Sequence, residues 1–74
     1  MTRNQVRLFG TALRQHRVSA GLSQEQAAAR LTVTLRTLQR WEDGETEPRT
    51  SQLAGLAKAY GVSVPDLLGI KRAA

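Results

Sequence analysis

The stretch from Gly21 to Pro48, GLSQEQAAARLTVTLRTLQRWEDGETEP, decides the fold. Ser23 followed three residues later by Gln26 is a capping-box pattern, in which hydroxyl and amide satisfy main-chain groups that a helix start leaves free. A helix therefore begins at Gln24. Ala27, Ala28 and Leu31 recur at three- and four-residue spacing and supply its apolar stripe, and three consecutive alanines at 27–29 let another helix come close. Thr32, Val33 and Thr34 continue a helix poorly compared with Ala, so it stops there. Thr34 then serves as N-cap of a second helix running through about Asp43, with Leu38 and Trp41 on one face and Leu35, Arg36, Gln39 and Arg40 elsewhere. Gly44 is placed to end it.

Outward from this pair, Thr2 or Asn4 can cap an N-terminal helix from about Gln5 to Ala20, closed by Gly21. Val6, Phe9 and Leu13 mark its inner stripe, continued by His16 or Arg17 and by Ala20, while Arg3, Arg7 and Arg14 lie off it and read as solvated. Gly10 costs a helix about 1 kcal/mol relative to Ala, which implies close packing of a neighbour there. On the C-terminal side, Thr50 or Ser51 starts a fourth helix with Leu53, Leu56, Ala57 and Tyr60 inward and Gly61 at its end. Ser63 caps a short fifth, with Pro65 and Asp66 in its first turn and Leu67, Leu68 and Ile70 on its apolar side. Those residues, with Val62 and Val64, either close the core or pair with a second copy. Lys71 to Ala74 read as a frayed tail.

The expectation is a single all-α domain over residues 1–74, with its two-helix motif at about 23–43 and short tails. A chain of 74 residues buries only roughly 60 to 65% of its unfolded surface, so the core has to be compact. Without cysteine, and with one His, neither a disulfide framework nor a metal centre is expected, and no cofactor is implied. No apolar run has the length of a membrane span and no signal-peptide h-region is present, which points to the cytoplasm. Eleven basic residues against six acidic give a net charge of +5, and nine of the eleven are Arg, the side chain suited to phosphate and guanine. Nucleic acid is the first partner to consider, although a solvated basic surface would carry the same charge. The acidic residues between Glu42 and Glu47 have no nucleophile or metal set around them, so an enzyme is not expected.

The ordered set Leu22-Ser23-Gln24-Glu25, Ala28, Val33, Thr37 to Glu42 with Trp41-Glu42-Asp43-Gly44, Pro48, and Leu56-Ala57-Lys58-Ala59-Tyr60-Gly61-Val62-Ser63 resembles the phage-repressor and Cro type of helix-turn-helix, the xenobiotic-response-element family. The resemblance runs from about Phe9 to Leu68. It implies a compact five-helix lambda-repressor-like domain that binds a double-stranded DNA operator in a transcriptional regulator, expected to be a repressor and a homodimer. No small-molecule ligand is implied. It also implies a partly buried ion pair between Arg17 and Glu42. There are two departures from the family: Thr32 stands where Gly is usual in the turn, and Glu45 and Glu47 stand where many members carry basic residues.

Proteins of this type lay the second helix of the motif in the major groove, and dimers meet half-sites about 34 Å apart. The residues expected against base edges are Leu35, Arg36, Gln39 and Arg40. Each Arg can donate a bidentate pair to guanine, Gln39 can pair with adenine, and Leu35 can meet a thymine methyl; Arg40 has phosphate as an alternative. The resemblance places Gln24 on the DNA backbone at a helix start that attracts anions. Thr34, Thr37, Gly44 and Thr46 are further backbone candidates, and Arg49 after the loop Pro suits a narrow minor groove. Trp41 belongs to the core by its spacing from Leu38. The rival expectation is an antitoxin-like or regulatory protein-interaction module of the same fold, motivated by Glu45 and Glu47 beside the phosphate rim.

Overall fold

Helix starts in this chain are set by residues three apart. The computed structural model describes residues 1–69 and contains α1 (Arg3–Ser19), α2 (Gln24–Leu31), α3 (Leu35–Glu42), α4 (Thr50–Tyr60) and α5 (Val64–Leu67), with no strand among the described residues. Thr2 with Gln5, Ser23 with Gln26 and Ser63 with Asp66 form reciprocal capping boxes, and Thr34 Oγ1 accepts the Thr37 N–H at 3.1 Å. One expected start shifts. α1 begins at Arg3 rather than Gln5, because Thr2 has an amide three residues on to complete its box, whereas Asn4 would face Arg7, which carries no acceptor. α4 starts at Thr50, as expected, with Arg49 as the residue before it and Gln52 Oε1 accepting the Arg49 N–H at 2.7 Å. Ile70 and the tail Lys71 to Ala74 lie outside the described residues.

At the other ends the chain repeats one device. After α1 the Gly21 N–H donates to Val18 O and the Leu22 N–H to Arg17 O, at 2.9 and 3.2 Å. After α2 the Thr32 N–H donates to Ala29 O and the Val33 N–H to Ala28 O, at 3.3 and 3.0 Å, the same double closure. Gly21 has φ 76°, and Thr32 sits in the same left-handed region at φ 57°, ψ 43°. The α2–α3 turn has therefore kept its geometry and forced a β-branched residue into it.

A single cluster fills the interior: Phe9 and Leu13 from α1, Leu22, Ala27 and Ala28, Leu38 and Trp41 from α3, Leu56 and Tyr60 from α4, and Leu67 from α5. α1 packs on α3, α4 and α5, and α2 packs on α3 and α4. Ala27 and Ala28 are buried but Ala29 is exposed, so two of the three alanines make the close approach. On α1 the inner stripe ends with Arg17, which is buried, while His16 is half-buried and Ala20 exposed. Gly10 marks where α1 crosses the end of α3: a Cβ there would overlap Trp41 O and lie 2.8 Å from Glu42 O. Seven residues on along the same face, Arg17 arrives beside Glu42.

Candidate nucleic-acid interface

Rotation of α3 about its axis is fixed by Leu38 and Trp41, which are 0% and 4% exposed. With that face inward, Arg36 and Arg40 stand in solvent, and Leu35 and Gln39 lie half-buried at the edge. Arg36 and Arg40 are four residues apart, so the two guanidinium groups rise from one side of the helix. Arg40 Nε lies 3.7 Å from Glu45 Oε2, with both side chains largely exposed. An exposed pair of this kind is worth roughly 0 to 1 kcal/mol, so Arg40 is readily released to another acceptor.

Behind the exposed face lies a buried polar core. Arg17 Nε donates to Glu42 Oε2 at 2.7 Å, Nη2 donates to Glu42 Oε1 at 3.2 Å, and Nη1 donates to Leu22 O at 2.8 Å. The hydrogen bond to Glu42 holds the Arg17 guanidinium above its ordinary range, against the opposing effect of burial. Gln24 joins this pair: its Nε2 donates to Glu42 Oε1 at 3.0 Å, and its Oε1 accepts from Gln39 Nε2 at 3.4 Å. Of the residues expected on DNA, Gln24 and Gln39 are thus brought together, and Gln24 faces the ion pair as well as the helix start. Neither link is foreshadowed locally in the sequence, because both depend on how α2 crosses α3.

The remaining backbone candidates divide. Thr34 and Thr37 hydroxyls lie 2.8 Å apart; one hydroxyl hydrogen closes that contact and the other is left to donate outward. Thr37, Arg40, Thr46 and Arg49, with Trp41, Glu47 and Gln52, line an open crevice of about 340 Å³ beside α3. Two guanidinium groups and two hydroxyls around one crevice suit a phosphate. Main-chain donors contribute less than expected there: the Gly44 N–H donates to Trp41 O at 3.2 Å and the Thr46 N–H to Arg40 O at 3.4 Å. Gly44 instead forms a close seat for α1, since a Cβ on it would lie 2.8 Å from Arg7 Cα.

A two-helix unit with an exposed cationic second helix, held from behind by a buried ion pair, is matched by the model of the helix-turn-helix domain over residues 8–68. The chain belongs to the helix-turn-helix domain family. This helix-turn-helix domain is 33% identical over 60 residues to the HTH-type transcriptional activator BcrR of Enterococcus faecalis, a match covering 81% of the chain and 29% of BcrR. The chain thus spans under a third of that relative's length. Among solved structures it is similar to the clp gene regulator ClgR from C. glutamicum, with TM-score 0.83 and 30% identity, covering 89% of this chain and 85% of that one. By name one relative is a transcriptional activator and the other a gene regulator, which agrees with a helix-turn-helix DNA-binding domain of the Cro and lambda-repressor type. No helix among the described residues is long and apolar enough to cross a membrane.

Proposed function

We propose that this helix-turn-helix domain reads a specific double-stranded DNA operator within a cytoplasmic transcriptional regulator, a repressor that occupies its operator as a homodimer. The observation that carries the reading is α3 itself: its apolar face is buried and its outer face presents Arg36 and Arg40 with Leu35 and Gln39 beside them. Those four side chains meet base edges in the major groove. Gln24, Thr34, Thr37, Thr46 and Arg49 serve the phosphates, with Gly44 keeping the loop close to α1. A second copy meets the first at the apolar groove of about 450 Å³ between α1 and α5, where Leu8 and Leu68 rim the opening.

Selection of bound duplexes from a random pool at two salt concentrations tests the reading. The expected result is an enriched palindrome with half-site centres about 34 Å apart and binding that weakens steeply with salt. Binding that is insensitive to sequence, alongside a salt-insensitive protein partner, would replace it with the protein-interaction module. Within the enriched site, Arg36→Ala should cost about 1 to 3 kcal/mol and relax preference at one base pair. Uniform weakening on all sequences would make Arg36 a phosphate contact instead.

A further inference from the structure

The side chains Arg17, Glu42, Gln24 and Gln39 form one continuous chain of hydrogen bonds from the buried end of α1 to the outer edge of α3, with links of 2.7, 3.0 and 3.4 Å. Its direction is forced at one end. A carboxylate only accepts, whereas an amide has an accepting and a donating end of nearly the same shape. Glu42 therefore fixes Gln24 with its NH₂ group inward, which leaves Gln24 Oε1 outward. That oxygen in turn fixes Gln39 with its NH₂ group toward Gln24.

We propose that Gln24 is a positioning residue for base recognition: anchored by the buried Arg17–Glu42 pair, it sets the orientation of the Gln39 amide and so the base that Gln39 prefers. One Gln39 N–H is engaged by Gln24, and the Oε1 and second N–H remain for DNA. Adenine presents N7 as acceptor and N6 as donor in the major groove, the complement of that remaining edge. Fixing the amide before binding also removes part of the side-chain entropy lost on docking. The charge that settles the choice sits in the protein interior, and α2 transmits it. This inference rests on the reading of Gln39 as a base contact.

The test compares Gln39→Met, Gln24→Met and the double variant with the parent domain in the random-pool selection. Gln39→Met identifies the base pair at which adenine preference disappears. Gln24→Met, which keeps length and removes both hydrogen bonds at a half-buried position, should reduce preference at that same pair on the order of tenfold and leave the other pairs unchanged. The double variant should be no less selective there than Gln39→Met alone. A Gln24→Met protein that binds every sequence more weakly with an unchanged preference would overturn the proposal and leave Gln24 with its phosphate role alone. If Gln39→Met itself alters no position, the failure lies in the base reading of Gln39, and the proposal falls with it. Glu42→Gln is unsuited to the test, since it strips a buried guanidinium of its counter-charge.

Discussion

Thr32 holds φ 57° and ψ 43°, a conformation that costs an L-residue roughly 1 to 2 kcal/mol and a β-branched one no less. Thr32→Gly relieves that strain but gives the unfolded chain more freedom, which offsets about 0.4 to 1 kcal/mol. The net expectation is a gain of about 0.5 to 1 kcal/mol, read as a higher urea midpoint with unchanged slope; a lower midpoint would show that the Thr side chain contributes contacts worth more than the strain. The position was legible in the sequence, where Thr stands at a turn residue usual for Gly, but whether the turn is reshaped or Thr32 strained was not. Nor was the state of the Tyr60 hydroxyl legible: it is buried with no hydrogen-bond partner among the described residues, and its spacing announced only an inward face. Burial, then the nearby Glu42 charge, pushes its pKa from 10.0 up to about 12, with Arg17 acting the other way. Because the folded state keeps the proton longer, stability is full below pH 10 and falls as pH rises from 10 toward 12, where the unfolded phenol alone ionises. Tyr60→Phe should lack that loss when urea midpoints at about pH 9 and about pH 11 are compared with the parent. At neutral pH it should be unchanged or more stable by about 1 kcal/mol, since a desolvated, unpaired hydroxyl is removed.

Two glycines inside helices behave oppositely once the elements around them are considered. At Gly10 a Cβ would run into Trp41 O and Glu42 O, main-chain atoms at the C-terminal end of α3. At Gly55, an exposed position on α4, the nearest atom is Leu31 Cδ2 at 3.9 Å, an ordinary contact. Gly10→Ala should therefore lose about 1 to 3 kcal/mol by forcing α1 off α3, more than the helix propensity it gains. Gly55→Ala should gain about 0.5 to 1 kcal/mol by propensity alone. Thermal melts of the pair check both signs, and a stabilised Gly10→Ala would mean that α1 and α3 can separate without loss. Gly10 was legible as a point of close packing because an interior helix glycine needs a reason. Its partner was not, because local spacing says which face a residue occupies and nothing of which helix crosses it. The same limit explains the sites: caps at Ser23, Thr34 and Ser63 could be read from the local sequence, while the Gln24 to Gln39 link depends on the α2–α3 crossing.

Across the whole molecule the charge is positive but unevenly placed. The net charge is +5, yet the loop that follows α3 carries Glu45 and Glu47, both exposed, with Glu45 drawn to Arg40 at 3.7 Å. Glu47 lines the crevice proposed for phosphate and Glu45 lies beside Arg40 at its edge. Both carboxylates therefore oppose DNA there, and salt screens that opposition incompletely below physiological ionic strength. Replacing both, as Glu45→Gln with Glu47→Gln, raises the net charge by two and frees Arg40 from its weak partner. Affinity for any duplex should rise, on the order of tenfold at low salt, and the gain should shrink as salt increases. Base preference should stay as in the parent, because neither side chain lies on the outer face of α3. Equilibrium binding of specific and unrelated duplexes across a salt series separates the outcomes. A gain confined to the specific duplex would show that the loop restrains Arg40 as a base reader. No gain at any salt would place the loop away from the phosphates and turn its acidic edge toward a partner other than DNA.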